Sequence, residues 1–147
     1  MALTLNGSNN TIAGLAVGGL PDGTVDADSI ANSTIAATEL NSVVNNRLCK
    51  AWVHFDGSGT LEVDDSYNVS SVTDNGTGDY TVNIDTDMAN ANYCVVTGGN
   101  RSGDGNAVGM VKVGATLATG SFKIIGSDSN WTYHDMDDAY AVVFGDQ

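Results

Sequence analysis

Tyr67-Asn68-Val69-Ser70-Ser71-Val72, then Asp74-Asn75-Gly76-Thr77-Gly78, then Tyr80-Thr81-Val82-Asn83-Ile84 is the stretch that decides the fold. β-branched and aromatic residues alternate with polar ones on both sides of an Asn-Gly pair, and that pair supplies the positive-φ positions a strand reversal needs. The pattern predicts an antiparallel hairpin with Tyr80, Val82 and Ile84 on one face and polar residues on the other. The apolar face is core.

The same alternation continues on either side. Trp52-Val53-His54-Phe55 predicts a strand, Gly57-Ser58-Gly59 a turn and Thr60-Leu61-Glu62-Val63 the next strand. Downstream, residues 93–96, 107–113, 121–125 and 140–144 have strand composition and are divided by Gly, Asn, Asp and Ser. About eight short strands with little helix predict a mainly β protein, with residues 49–147 forming a small antiparallel β-sandwich or barrel-like head. Residues 98–106 and 126–138 read as loops, the second carrying Trp131, Tyr133 and His134.

Residues 1–48 are different in kind. They contain no aromatic residue, and their apolar positions are too sparse to close a core alone. Leu15, Leu20, Val25, Ile30, Ile35 and Leu40 recur at an interval of five, a spacing that neither a helix nor a strand produces. Residues 22–31 also align with 32–41, Thr, an aliphatic residue and Ala coinciding. A repeat that cannot bury its apolar side stacks on copies of itself or winds around other chains. Three chains about one axis meet that need, and a chance spacing in a flexible leader is the alternative. From Thr38, with Asn41 at a capping position, Leu40, Val44 and Leu48 stand four apart and predict about three turns of helix as a neck. Gly18-Gly19-Leu20-Pro21-Asp22-Gly23 predicts a bend between an N-terminal docking segment and this shaft.

Composition narrows the function classes. The 147 residues leave room for one ordinary domain besides the arm. Eighteen acidic residues against five basic ones give a net charge of −13, so neither phosphate backbones nor anionic membranes find a cationic cluster. The acid reads as a solvated surface, with a divalent-cation role as the alternative. No stretch has the length of a membrane span, and Met1-Ala2-Leu3-Thr4-Leu5-Asn6-Gly7 lacks the basic and apolar regions of a leader, which predicts synthesis in a cytosol-type compartment. Cys49 and Cys94 are then expected as buried thiols, although pairing in an oxidising medium stays open. Seven Asn-x-Ser/Thr triplets reflect the Asn/Ser/Thr-rich composition in the absence of a signal peptide.

Chemical motifs are weak. Cys49, His54, Cys94 and His134 lack the paired close spacings of a zinc site. There is no Gly-x-Ser-x-Gly elbow, and the glycine-rich loop lacks the Gly-Lys-Ser/Thr ending of a phosphate loop. Asp64/Asp65 and Asp137/Asp138 are adjacent carboxylates of the kind glycoside hydrolysis uses, but such pairs are common in turns. Asp135, Asp137 and Asp138 form a weak calcium candidate, since clustered oxygen ligands suit a hard cation. No cofactor is expected. Asn130-Trp131-Thr132-Tyr133-His134 places two rings among amide and carboxylate groups, which suits a sugar surface; Trp131 as a plug for the core or an interface is the other reading.

Lys50-Ala51-Trp52-Val53 and Thr73-Asp74-Asn75-Gly76-Thr77-Gly78-Asp79-Tyr80-Thr81-Val82, within residues 49–59 and 67–83, resemble the head module of tail-fibre-like virion proteins of tailed bacteriophages, many of them marine or cyanobacterial. Leu3-Thr4-Leu5-Asn6-Gly7 and Val25-Asp26-Ala27-Asp28 resemble the arm that precedes such modules, and the likeness covers most of residues 1–97. The resemblance implies a non-enzymatic, homotrimeric structural protein on the virion exterior, made in the bacterial cytoplasm. Its N-terminal arm would dock on other virion proteins of the tail or capsid, and its head would face a host-cell glycan. A short tail fibre or spike is the leading expectation, with a capsid decoration or cement protein or head fibre as the alternative and a polysaccharide depolymerase behind both. Past Thr97 the likeness fades except at residues 140–144, so specificity is expected in the two loops. Their residues Asn130, Trp131, Tyr133, His134, Asn100 and Arg101 are the receptor-contact candidates.

Overall fold

The computed structural model describes residues 4–6, 11–13, 42–101, 108–111 and 117–147. The chain divides into two compact units, Met1–Leu40 and Asn41–Gln147. In the first, β1 (Thr4–Asn6) pairs antiparallel with β2 (Thr11–Ala13), Leu5 opposite Ile12, so the start of the arm is hairpinned rather than simply extended. Leu15, Leu20, Val25, Ile30, Ile35 and Leu40 lie outside the described residues.

The second unit opens with α1 (Ser42–Asn45), which stops well before Leu48. Asn45 and Asn46 compete poorly for helix, and Arg47 and Leu48 close the end by donating to the carbonyls of Val44 and Asn45, both at 3.1 Å. Thr38 and Asn41, where the longer neck was expected to begin, are outside the described residues. Lys50 folds back, nearly buried, and its Nζ donates to Asn45 Oδ1 at 2.7 Å.

Eight strands follow: β3 (Cys49–Asp56), β4 (Glu62–Tyr67), β5 (Val69–Asp74), β6 (Asp79–Ile84), β7 (Cys94–Asn100), β8 (Val108–Val111), β9 (Ser121–Ser127) and β10 (Asp138–Phe144). They form two four-stranded antiparallel sheets, ordered β4-β3-β10-β7 and β5-β6-β9-β8. The mainly β expectation is met. Alternation supplies the core directly: Ala51, Val53 and Phe55 from β3 and Ala139, Ala141 and Val143 from β10 face Tyr80, Val82 and Ile84 from β6 and Phe122 and Ile124 from β9. Edge-to-face pairs Phe55–Tyr80, with centroids 5.1 Å apart, and Tyr93–Phe122, at 6.4 Å, fix the filling.

The single strand expected over residues 67–72 is broken at Asn68, whose φ of 54° turns the chain from the first sheet into the second. Its amide locks the corner, Nδ2 donating to Lys50 O (3.0 Å) and Thr86 O (3.2 Å) while Oδ1 accepts from Thr86 N (2.8 Å). Asn68→Ala loses these bonds and puts a Cβ-bearing residue without that compensation in the left-handed region, so urea denaturation should show a loss of about 2 kcal/mol. Asn68→Gly, which keeps the backbone free to turn, should lose less.

Gly98 and Gly99, expected in a loop, are strand residues. Side chains of the neighbouring strand and loop fill the space their own would take: a Cβ on Gly98 would stand 2.3 Å from the Tyr140 ring, and one on Gly99 2.6 Å from Met136 Cε. The cysteines are also resolved by register. Cys49 and Cys94 both lie opposite Phe144, on either side of β10, so their Cα atoms are two strand spacings apart, roughly 10 Å. That exceeds disulfide reach. Cys49 donates its thiol to Ala51 O at 3.2 Å, and Cys94 is exposed, contrary to its expected burial.

Candidate functional site: the 128–137 loop

The chain between β9 and β10 is held by two different devices. Its first half is a closed ring built on Asp128. Oδ1 accepts from the amides of Asn130 (2.8 Å) and Thr132 (2.9 Å), and Oδ2 meets His134 Nε2 at 3.3 Å. The backbone closes the same ring, Trp131 N donating to Asp128 O (3.1 Å) and Asp128 N to Thr132 O (3.0 Å). The amide bond from Thr132, more than the others, holds the Asp128 carboxyl below the usual carboxylate range. At the apex, Trp131 adopts φ 64° and leaves 61% of its surface open. A bulky residue in the left-handed region is uncommon and strained, and persists where the surroundings dictate it.

The second half is anchored in the core. Met136 is buried, its carbonyl accepting from Gly57 N at 2.8 Å. Asp135 Oδ1 accepts from Gly78 N at 2.8 Å and lies 3.3 Å from the Tyr80 hydroxyl, which is also 3.2 Å from Gly57 O and accepts from Met136 N at 3.3 Å. Gly78, with φ 64°, lets three backbones meet: Gly126 N donates to Gly78 O (2.9 Å) and His134 N to Gly126 O (3.0 Å).

Burial, then the nearby Asp135 charge, raises the Tyr80 hydroxyl well above its ordinary value, and burial pushes Tyr93 up to about 12. Both groups keep their proton more tightly folded than unfolded. Their stabilisation is therefore complete below pH ~10 and falls as pH rises above it, by on the order of 1.4 kcal/mol per pH unit for each ionising tyrosine. Thermal melts between pH 9 and 12 should show a steepening loss, and Tyr93→Phe should flatten it.

Asn130, Trp131 and Tyr133 are exposed on this loop. His134 is largely covered and its ring braces Asp128 rather than reaching outward. Asn100 ends β7 opposite Asp138, the first residue of β10, and Arg101 follows, so both stand at the same end of the sandwich as the loop. The calcium trio is not gathered: Asp135 points to Gly78 and Tyr80, whereas Asp138 turns to His54. Among the described residues no three His, Cys, Asp or Glu side chains stand close enough to hold an ion. Asp64 and Asp138 flank His54 at 3.5 and 3.2 Å, so the imidazole occupies the space between these carboxylates. Asp128 was missed as the organiser of the loop. Its signal was an Asp followed by Ser-Asn, the local pattern of a side chain capping its own turn.

No protein-family model and no curated protein matches the chain. Among solved structures, it is similar to the phiAB6 tailspike, crystallised in complex with three-repeated oligosaccharides of Acinetobacter baumannii surface polysaccharide. Identity is 18%, the TM-score 0.45, and the match covers 65% of this chain but 20% of the tailspike chain. The chain thus spans about a fifth of that protein's length.

Proposed function

We propose that this protein is a non-enzymatic component of a phage exterior, a short trimeric fibre or spike anchored by its N-terminal arm, that contacts the host surface through the 128–137 loop. The observation that carries the reading is Trp131: a large ring held open to solvent at a strained backbone position by a ring of hydrogen bonds around Asp128. Natural cores do not need such a device at a surface residue, whereas recognition sites use preorganised aromatics that lose little entropy on binding. A flat ring beside Asn130 and Tyr133 fits the apolar face and hydroxyls of a saccharide.

Placement supports the same reading. β3 begins at Cys49, opposite Phe144 at one end of the sandwich, and the loop joins β9 to β10 at the other. The chain enters the β unit at the end away from the loop, as a fibre head displayed outward requires. The likeness of residues 49–83 to tail-fibre heads supplies the viral context. Antibody labelling of intact particles tests it: a few copies at the tail agree with the proposal, and many copies over the shell, or none on the particle, overturn it.

A further inference from the structure

The two outward sheet faces of the β unit are built from opposite chemistry. On the second sheet, register aligns Ser71–Asn83–Ser121 and Thr73–Thr81–Lys123. Asn83 Nδ2 donates to Ser71 Oγ (3.0 Å) and Thr73 Oγ1 (3.2 Å), a polar surface made for water. On the first sheet, the row across all four strands is Tyr67–Trp52–Val142–Val96, and the next row towards the neck is Cys49–Phe144–Cys94. Tyr67 and Val96 expose more than half of their surface, at 56% and 55%. Tyr140 adds a third row, its ring laid across Gly98. Antiparallel sheets commonly leave one face to solvent with polar residues, and a continuous apolar face marks a surface that is covered.

We propose that this face of the first sheet is a contact between copies of this chain. Charge selects the occupant. Each copy carries −13, so two copies repel except across a neutral patch, and neither of the two rows contains a charged side chain. The acidic residues of this sheet, Glu62, Asp64, Asp65 and Asp138, stand towards the other end, nearer the Trp131 loop. The patch also runs on into the neck: Leu48 directly precedes Cys49 and is exposed, as are Val43 and Val44 of α1. Four strands ~4.8 Å apart, each contributing about six residues at ~3.3 Å, give a face of roughly 400 Å², half of what one partner commonly buries. The neck residues make up the difference. This inference is independent of host contact, because it concerns only how copies meet.

Sedimentation of the full chain at micromolar concentration tests it. The parent is expected to sediment as an oligomer, and the Tyr67→Glu/Val96→Glu double variant, folded by circular dichroism, to associate at least ~100-fold more weakly. Ser71→Glu, on the polar face, should keep the parent mass. In the parent, Cys94 should react with a maleimide slowly when concentrated and quickly on dilution. A monomeric parent overturns the proposal. So does a double variant that keeps the parent mass, including the case in which only removal of residues 1–40 dissociates the protein.

Discussion

Gly78→Ala is expected to lose about 3 kcal/mol or more of folding stability, although it adds a single methyl group. Two costs add. The backbone sits at φ 64°, where an L side chain is strained by about 1 kcal/mol. The new Cβ would also stand 2.5 Å from Gly126 O, 2.6 Å from His134 O and 2.8 Å from His134 N. These are backbone atoms already tied to one another, so no rotamer change relieves them. Gly59 provides the control, with φ 62° and nothing within 4 Å of an added Cβ. Gly59→Ala pays only the backbone term, about 1 kcal/mol. Urea midpoints of the two variants separate the contributions. Equal losses would mean that the close approach at Gly78 has no energetic weight.

Trp131→Gly should do the reverse of most substitutions at a surface aromatic, raising stability by roughly 1 kcal/mol while reducing cell binding at least ~30-fold. Glycine accepts φ 64° without strain, and no core contact depends on a ring that is 61% exposed. Binding loses the platform. Trp131→Ala should lose binding equally but gain no stability, since alanine keeps the Cβ. Asp128→Ala retains the ring and removes the carboxylate that accepts from Asn130 and Thr132, so it should weaken binding by freeing the loop. Thermal melts and adsorption of labelled protein to host cells measure both sides. A Trp131→Gly protein that binds normally would sink the loop assignment, whatever its melting temperature.

Much of this architecture is legible in local sequence. Tyr80, Val82 and Ile84 alternate without interruption, the turn before them contains Asn75-Gly76, and all three are core residues. What escaped local reading was decided by distant partners. Nothing between Tyr67 and Val72 announces that Asn68 turns a corner, because its conformation is held by Lys50 and Thr86. Gly98-Gly99 has loop composition and becomes strand only because Tyr140 and Met136 fill the volume beside it. The exposed aromatics 131 and 133 could be read from the loop composition. The bracing role of His134 and the inward turn of Asp135 could not, since both follow from register between strands that are far apart in sequence. The same register separates Cys49 from Cys94.

The division of labour within the 128–137 loop has a consequence for how such a protein can change. Met136 and Asp135 carry the attachment to the core, while residues 128–134 are bound chiefly to themselves and to the end of β9. That ring behaves as an interchangeable cartridge. Its sequence and length can be rewritten while the sandwich beneath it folds as before, so a lineage carrying this scaffold can acquire a new target by substituting a peptide shorter than ten residues.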